Sequence, residues 1–516
     1  MRPDEGSSLP SRLLGPLAWT LAFALSYAQS PLYTSNQNQY FLHGLARAGA
    51  GFLHHDWLAK TADPTPLFSL MVEAFAAWPW AFYAIYAALM GVYLFSLLSL
   101  VSAVFDLGSP TKRRLMLAAL IVLHSAALRY LLARLVAPEA EFLFEGGVAG
   151  QRLLGAVLQP SAFGVFLVLS LALFIRRRWV GSVVSLAAAA AIHPTYLLSA
   201  GILLATYVAS IGWKTEGRRR AAAMALLGAA LLAPIAVLVW LNFRPSGAEL
   251  YARAADILIR LRLPHHAIPS KWLDFTVALQ VLLVLGALIL TRRSRLFVVL
   301  LVGSLTVVTL TAAQMLSQSA TLALLFPWRL STLLVPVSTA CLAAAAVAAV
   351  VGWLTARPRA LRALVVTAYL AVGAAAAAGV YRFAVERQHQ RDDPAAPIMA
   401  FVARTLVESQ TYFIPPKLQD FRLRSGAPIV VEAKAIPYRA EEVTDWYDRL
   451  TMARNFFRGR PEWIDCRGLD AARDEYDATH VVLGPEQLGL DCPQWEEIFN
   501  DGEYAVYRIT LTPSPR

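Results

Sequence analysis

The chain has 516 residues, of which 57% are hydrophobic and 16% are charged, and its formal net charge is +11. Soluble proteins carry about 25% charged residues, so this composition excludes a mainly soluble chain and predicts that most of it lies in a lipid bilayer. The basic residues stand in short runs between apolar segments instead of forming one contiguous basic face, which argues against nucleic-acid binding.

Apolar segments follow one another along the first three quarters of the chain and predict about eleven transmembrane helices. The predicted spans cover residues 13–28, 80–105, 115–136, 161–175, 179–193, 196–211, 221–242, 275–290, 296–313, 330–354 and 361–381, with a shorter apolar piece at 66–78. No cleavage pattern follows the first of them, so we interpret it as a membrane helix or an uncleaved anchor.

The basic runs between these spans predict the orientation. They lie at residues 112–114, 176–178, 214–220, 292–295 and 357–362. If the first helix runs outward, all five runs lie on the same side as the N-terminus, and this side is cytoplasmic by the positive-inside rule. An odd number of spans then places the C-terminus outside. We therefore expect a multi-pass membrane protein with its N-terminus cytoplasmic and its C-terminal domain extracytoplasmic.

The first loop, residues 31–66, is rich in polar side chains, which are costly beside a bilayer unless they meet water, one another or a ligand. It contains Asn36, Gln37, Asn38, Gln39, Tyr40, His43, His54, His55, Asp56 and Asp63. We interpret it as the floor of an extracytoplasmic site. Later loops on the same predicted side add Glu145, Gln151, His193 and Arg329 as candidate substrate-binding residues.

Asp56 is the candidate general base and Asp63 the second candidate, although Asp56 is equally suited to cap a turn or pair with Lys60. Asp63 begins the sequence Asp-Pro-Thr-Pro, which first indicates a rigid turn. Residues 36–39, Tyr40 and His43 offer hydrogen bonds to sugar hydroxyls or, alternatively, between helices.

The remaining candidates also have structural alternatives. Arg329 suits a phosphate, or reaches the membrane interface from a helix end. His193 before Pro194 is a ligand or a helix-end residue, and Glu145 with its neighbouring glutamates is a site residue or part of a solvated loop face.

Metal binding has little support in the sequence. His54, His55 and Asp56 are metal-ligand types, but neighbouring residues on a helix point in different directions, which argues against one shared ion. We therefore predict no metal ligands. No particular cofactor is predicted, and a divalent cation, Mg²⁺ or Mn²⁺, stays open as an alternative.

The composition changes at about residue 382. Residues 382–395 read as a charged linker, and residues 396–516 as a small soluble α/β domain after a membrane domain at 1–381. We predict strands at 429–433, 479–483 and 504–511, and helices at 441–457 and 469–476. Cys466 and Cys492 are a disulfide pair if this domain faces an oxidising compartment, or two free thiols.

With this layout, the chain resembles the GT-C class of polytopic glycosyltransferases. The resemblance covers the topology of the whole chain, and its specific part is the first loop, where Asp56 or Asp63 would fill the acidic catalytic role. Many such enzymes carry an acidic residue just after the first helix, where this chain has Asn36 to Gln39. The chain also resembles an uncharacterised group of bacterial membrane proteins with QNQYFLHGL, DWLA, TADPTP, HPTY and EAKAIPY, which supplies no activity.

The GT-C resemblance implies an all-α polytopic membrane bundle with a small C-terminal α/β domain. It also implies transfer of a sugar from a polyprenyl-phosphate-linked donor to an extracytoplasmic acceptor, with membrane lipid as partner. Two alternatives stay open: a non-catalytic partner in polysaccharide or envelope assembly, and a lipid or solute transporter. Transporters often show internal repeats and charges at the bilayer midplane, whereas here the polar residues gather at one face.

Overall fold

The structure is a computed structural model that describes residues 9–212, 217–458, 466–490, 492 and 495–509, with side chains from Leu14 onward. Residues 214–216 of a predicted basic run and residues 510 and 511 of a predicted strand lie outside this range. The chain forms two compact units. Unit 1 comprises Met1–Gln29, Trp80–Val239 and Ile259–Ala384, and unit 2 comprises Ser30–Pro79, Trp240–Leu258 and Val385–Arg516.

Most of the described residues are helical. In chain order the helices are α1 (Leu9–Tyr27), α2 (Gln37–Tyr40), α3 (Leu42–Arg47), α4 (Pro66–Phe75), α5 (Pro79–Val101), α6 (Pro110–Leu123), α7 (Ala126–Leu135), α8 (Val165–Ile175), α9 (Trp179–Ile192), α10 (Leu197–Gly212), α11 (Arg218–Phe243), α12 (Ala248–Asp256), α13 (Pro264–Ala267), α14 (Phe275–Thr291), α15 (Arg295–Ser317), α16 (Ala320–Leu325), α17 (Ser331–Leu354), α18 (Pro358–Arg391), α19 (Ala396–Thr405), α20 (Phe421–Ser425), α21 (Ala440–Phe456) and α22 (Arg467–Tyr476).

Among the described residues, six helical segments are long and apolar enough to cross a bilayer, by length and composition. A bent pair, α6 and α7, makes a seventh span if it is counted as one. Further apolar helices of 10–17 residues include α4, α8, α9 and α14. The prediction of a polytopic helical membrane protein is confirmed, whereas the number eleven stays a prediction.

The predicted span 115–136 is broken in the middle. Helices α6 and α7 meet at an angle of 51°. Ser125 ends the continuity because its side chain caps α7, accepting from the Leu128 amide at 3.2 Å. The neighbouring His124 bonds the Leu120 carbonyl through Nδ1 at 2.7 Å and the Tyr93 hydroxyl through Nε2 at 3.0 Å. These local polar contacts compensate the break inside an apolar environment.

Unit 2 contains a four-stranded sheet of order β1-β2-β4-β3. The strands are β1 (Tyr412–Phe413), β2 (His480–Leu483), β3 (Trp495–Asn500) and β4 (Ala505–Ile509). β1 is parallel to β2, and the other two pairs are antiparallel. Alternate residues of β2 enter two different hydrophobic clusters, Val481 on one side and Val482 on the other. Both faces of the sheet are therefore covered.

The predicted elements of the C-terminal region are confirmed in part. β2, β4, α21 and α22 lie where the sequence predicts them. The predicted strand 429–433 is wrong, because Ile429 makes only an isolated bridge to Tyr412. Helix α18 continues through Arg391, so most of the residues of the predicted linker are helical.

The division into units differs from the predicted domain bounds. Residues of the first loop group with the C-terminal residues in unit 2. The bounds 1–381, 382–395 and 396–516 stay a prediction. Cys466 and Cys492 form a disulfide with a Cα–Cα distance of 5.9 Å, which decides between the two alternatives for this pair. The third cysteine, Cys341, is free and buried in α17.

Candidate functional site

The segment between α7 and α8, residues 137–159, is an irregular loop buried inside unit 1, and we call it the buried loop. It begins with a 3₁₀ turn at Pro138–Phe142 and contains Glu145 and Gln151, which are only 5% and 6% exposed. Irregular backbone has unpaired amides and carbonyls, which bundles tolerate where protein encloses them or where they line a site. The buried loop is therefore the candidate functional site of unit 1.

A tight turn shapes the centre of the buried loop. Gly146 and Arg152 form an antiparallel bridge, and the Gly147 amide donates to the Gln151 carbonyl at 2.7 Å. Between them Ala149 and Gly150 have φ values of 60° and 62°. Two successive positive φ values are typical of a type I′ hairpin turn. Gly150 accommodates this conformation freely, whereas Ala149 does so at an energetic cost.

Side chains from three later segments bind the backbone of this turn. The Ser331 hydroxyl accepts from the Val148 amide at 2.9 Å, and Gln280 Nε2 donates to the Gly146 carbonyl at 3.1 Å. His266 bonds the Ala149 carbonyl through Nδ1 at 2.6 Å. Burial lowers the pKa of His266 to about 3, with further lowering by His265. The ring is therefore neutral, with its proton on Nδ1.

Glu145 is the buried carboxylate of the loop. Its Oε1 lies 3.4 Å from Nη1 of Arg129, which is buried in α7 and stacks over the Tyr27 ring at 4.1 Å. Burial raises the pKa of Glu145 to about 7, although Arg129 and Arg152 lower it. A carboxyl group with a pKa near 7 is suited to exchange a proton at neutral pH.

Arg329 and His193 meet at Tyr196. The His193 ring centroid is 5.4 Å from that of Tyr196, and the Arg329 guanidinium lies 5.8 Å from the same ring. The Tyr196 hydroxyl donates to the Ser161 carbonyl at 2.7 Å. Two of the predicted site residues thus lie together in unit 1.

Two tryptophans pack against the turn of the buried loop. Trp272 and Trp328 have ring centroids 5.2 Å apart and form a buried cluster with Ala149. Phe326, directly before the 3₁₀ turn Pro327–Leu330, has φ 47° and packs against this cluster. A buried indole N–H usually finds a hydrogen-bond partner, so the Nε1 atoms of these two side chains are the polar part of the cluster.

Several buried polar atoms around the buried loop have no hydrogen-bond partner among the described residues. They are Glu145 Oε2, both amide atoms of Gln151, Arg129 Nε, Arg329 Nε, Gln280 Oε1, and Nε1 of Trp272 and Trp328. Buried polar groups are almost always hydrogen-bonded, so each of these atoms requires an explanation. Five of these eight atoms are nitrogens that carry an N–H donor, which favours an anionic or hydroxyl-rich ligand.

The predicted base Asp56 lies in unit 2 and is fully buried. Its Oδ2 accepts from Arg422 Nε at 2.9 Å and from the Ile429 amide at 3.0 Å, and Oδ1 accepts from the Leu58 amide at 2.9 Å. The carboxylate is thus held by the C-terminal part of its own unit. These contacts favour a structural role, and a catalytic Asp56 stays a prediction.

Asp63 also has local partners. Its Oδ1 accepts from the Thr65 amide at 2.9 Å, and Oδ2 lies 3.5 Å from Arg47 Nη1. The first contact is the turn that the Asp-Pro-Thr-Pro sequence predicts. The second is a partly exposed ion pair of the kind that contributes little to stability.

The polar run at residues 36–39 is largely internal to unit 2. Gln37, Asn38 and Gln39 are buried in α2, with Gln37 Oε1 accepting from the Tyr33 amide at 2.9 Å. Asn36, at the N-cap of α2, makes no side-chain capping bond.

A small pocket in unit 2 contains three predicted substrate-binding residues. Gln39 Nε2 donates to the Tyr438 hydroxyl at 2.6 Å, and the Tyr40 hydroxyl lies 3.4 Å from it. His43 Nε2 lies 3.2 Å from the Thr61 carbonyl. All of these residues line the pocket. The predicted site residues therefore form two groups, one in each unit.

In the described part of the chain, one group of three His, Cys, Asp or Glu side chains has metal-ligand spacing: His54, His55 and Glu408 in unit 2. Two imidazoles do not suit Mg²⁺, which prefers oxygen ligands. Glu145 is a single carboxylate beside two arginines, so the residues of the buried loop do not fit a divalent cation either.

The sequence did not identify Arg129, Trp272, Trp328 or Gln280 as site residues. Arg129 sits within an apolar segment, and a charged residue there is itself a sign of function or of a buried partner. Trp272 and Trp328 lie in two loops that the sequence placed on the outer face, residues 243–274 and 314–329, but their pairing depends on tertiary structure.

Comparisons with known proteins give a match to one domain model and similarity to solved structures, two of which are described here. The model of "Domain of unknown function (DUF6798)" matches residues 395–453, and no curated protein sequence matches the chain. The structure is similar to that of ArnT from Cupriavidus metallidurans bound to undecaprenyl phosphate, with a TM-score of 0.44 and 13% identity, over 97% of this chain and 98% of that one. The apo structure of the same ArnT gives a TM-score of 0.44 and 14% identity, with the same coverage. At these values neither structure assigns a substrate to this chain.

Proposed function

We propose that this protein is a membrane glycosyltransferase of the bacterial inner membrane, which moves a sugar from a polyprenyl-phosphate-linked donor to an extracytoplasmic acceptor. The observation that carries the proposal is the buried loop. It combines a carboxyl group with a pKa near 7 and several buried N–H donors without a protein partner, within a bundle of apolar helices.

Glu145 is the proposed general base. It would accept the proton of the acceptor hydroxyl as the hydroxyl oxygen attacks the anomeric carbon of the sugar. The bond between that carbon and the phosphate oxygen breaks, and the phosphate leaves with the electron pair. Glu145 Oε2 suits this role because Arg129 contacts the other oxygen, Oε1.

Arg329 is the proposed phosphate ligand. A guanidinium binds phosphate oxygens through a planar set of donors and stabilises the negative charge that develops on the leaving group. Trp272 and Trp328, whose indole N–H groups have no protein partner, pack against Ala149, four residues after Glu145. Four residues of chain span at most about 14 Å, so the indoles and the carboxyl group belong to one small region of the buried loop.

The test uses purified full-length protein in nanodiscs with radiolabelled polyprenyl-phosphate sugars and a cell-envelope extract as acceptor. Wild type should transfer label, while Glu145→Gln should bind the donor and transfer at least about a hundredfold more slowly, as expected for loss of a general base. Glu139→Gln is the matched control, because this glutamate lies in the same loop but is exposed.

Asp56→Asn separates the two candidate bases. If Glu145 is the base, this variant loses stability, because the buried Arg422 guanidinium then faces a neutral amide instead of a carboxylate. The fraction of the protein that folds keeps its transfer activity. If correctly folded Asp56→Asn loses transfer while Glu145→Gln keeps full activity, Asp56 and not Glu145 is the general base.

A non-catalytic assembly partner is the second candidate function. It is favoured by the contacts of Asp56 and Asp63, both of which already have protein partners. Binding of the donor without any turnover by wild type, in the same experiment, would support this candidate and contradict the first.

A further inference from the structure

Two adjacent histidines and a glutamate lie together on the surface of unit 2. His55 Nε2 is 3.1 Å from Glu408 Oε1, and the rings of His54 and His55 have centroids 4.0 Å apart. The three ligand atoms all lie within 4.8 Å of one another, and all three residues are exposed. His55 and Glu408 are 353 positions apart in the sequence, so the group forms only when unit 2 is folded.

The sequence argued against one ion shared by His54, His55 and Asp56. In the structure the two histidines lie together on the surface with Glu408, and Asp56 is buried away from them. His54 and His55 end a 3₁₀ turn, and the backbone becomes extended at Asp56 with φ −60° and ψ 132°. Asp56 consequently turns into the interior, and its place beside the histidines is taken by Glu408.

The segment that carries the histidines is firmly held. The His55 amide donates to the Phe52 carbonyl at 2.9 Å, and the Phe52 amide donates to the Gly426 carbonyl at 2.9 Å. Directly after them, the buried Asp56 carboxylate bonds Arg422 and Ile429. The positions of both imidazoles are thus set by backbone and buried contacts rather than by chance on a mobile loop.

The segment that carries the glutamate is also closed by hydrogen bonds. Gln410 donates its amide to the Val407 carbonyl at 3.2 Å, and its side-chain oxygen accepts from the Val407 amide at 3.2 Å. The Tyr412 hydroxyl donates to the same oxygen at 3.0 Å. Glu408 therefore projects from a defined turn. Preorganised ligands of this kind bind a metal with less loss of conformational entropy.

We propose that His54, His55 and Glu408 bind a divalent transition-metal ion of the Zn²⁺ type, with water at the remaining position. Imidazole nitrogens select such ions over Mg²⁺ and Ca²⁺, which prefer oxygen. Ligand atoms about 2.1 Å from a tetrahedral Zn²⁺ are about 3.4 Å from one another. The 3.1 Å between His55 and Glu408 is close to this value. The other ligand atoms lie within 4.8 Å of one another, so their separations need to shorten by at most about 1.4 Å to complete the site.

The bound ion would join the first loop to the C-terminal residues of unit 2 at a second point, beside the buried pair of Asp56 and Arg422. Because the unfolded chain separates these ligands, the ion binds the folded unit preferentially and stabilises it by mass action. This site does not depend on the buried loop or on the proposed transfer reaction.

The experiment is isothermal titration calorimetry of ZnCl₂ alone into tag-free full-length protein in detergent micelles at pH 7.5. Wild type should bind one ion per chain and show a higher thermal-unfolding midpoint with Zn²⁺. Glu408→Gln should weaken binding at least about tenfold, and His55→Ala should remove it. Neither residue is buried, so both variants should fold.

The matched controls are His389→Ala and His265→Ala. His389 is exposed in unit 2 outside the group, and His265 belongs to a second adjacent pair, with ring centroids 4.0 Å apart, in unit 1. Both controls should bind Zn²⁺ as wild type does. Wild-type affinity in both Glu408→Gln and His55→Ala, loss of binding in a control only, or absence of binding by wild type would each overturn the proposal.

Discussion

Glu145 gives the sharpest prediction at the scale of single residues. Its pKa is raised to about 7 by burial, and as a base it must be ionised to accept a proton. The transfer rate should therefore rise with pH up to about 7 and level off above it. Initial rates between pH 5 and 9 measure this profile. A rate that falls through pH 7 instead would assign Glu145 as an acid.

His480 predicts a pH-dependent stability of unit 2. Burial lowers its pKa to about 4, and Arg508 lowers it further, while the unfolded side chain keeps a value near 6.5. The unfolded chain therefore takes up a proton between these values, and stability should be full above pH 6.5 and fall as the pH drops toward 4.

Thermal unfolding of the full chain at pH 7 and pH 5 tests this prediction. His480→Gln, which keeps a polar side chain but does not titrate, should show a smaller loss of the unfolding midpoint than wild type between the two pH values. An equal loss in both proteins would show that other groups set the dependence.

The environments of two carboxylates, Asp56 and Glu145, could not be predicted from the sequence. The sequence shows that Asp56 is a carboxylate in a polar loop, but its hydrogen bonds to Arg422 and Ile429 reach across more than 360 positions. The same holds for Glu145: burial raises its pKa to about 7, although Arg129 contacts it and lowers the pKa. Both outcomes depend on tertiary contacts that local patterns do not encode.

At the scale of elements, apolar runs predict helices well because a bilayer requires about 20 apolar residues per span. The predicted span 275–290 and the helix α14 differ by one residue at one end. The bend between α6 and α7 was not predicted, because averaging over an apolar window hides the two polar residues His124 and Ser125. The short strands β1 and β3 were not predicted either, since they depend on pairing more than on their own sequence.

The buried loop makes a prediction at this scale through Gly147. A Cβ atom at this position would lie 2.5 Å from the Thr332 amide nitrogen and would also collide with Ser331 Oγ. Because the obstacle includes backbone, Gly147→Ala should displace the loop, costing about 1 to 3 kcal/mol, and should lower the transfer rate.

Gly201→Ala is the control for this substitution. Gly201 lies in α10, and an added Cβ there meets nothing within 4 Å, so the variant should be as stable as wild type or slightly more so. Thermal unfolding and transfer rates of both variants give the comparison. A Gly147→Ala protein with unchanged stability and activity would show that the turn at Ala149 is not held as described.

At the scale of the whole molecule, the predicted orientation requires the first loop and the C-terminal residues to be extracytoplasmic. Single cysteines at Ala48 and Asn500, both exposed, should react with a membrane-impermeant maleimide in intact cells, whereas one at Thr355 should react only after permeabilisation. Cys341 is buried and the other two cysteines are disulfide-bonded, so the background should be low. Labelling of Thr355 alone in intact cells would reverse the orientation.

The pairing of Asp56 with Arg422 has a consequence for how the protein is made. The two residues are 366 positions apart, and ribosomes add about 5 to 20 residues per second. Arg422 is therefore synthesised roughly 20 to 70 seconds after Asp56. During that interval the Asp56 carboxylate lacks its C-terminal partners Arg422 and Ile429, so chains truncated before residue 422 should be rapidly degraded even when every apolar helix has already been inserted.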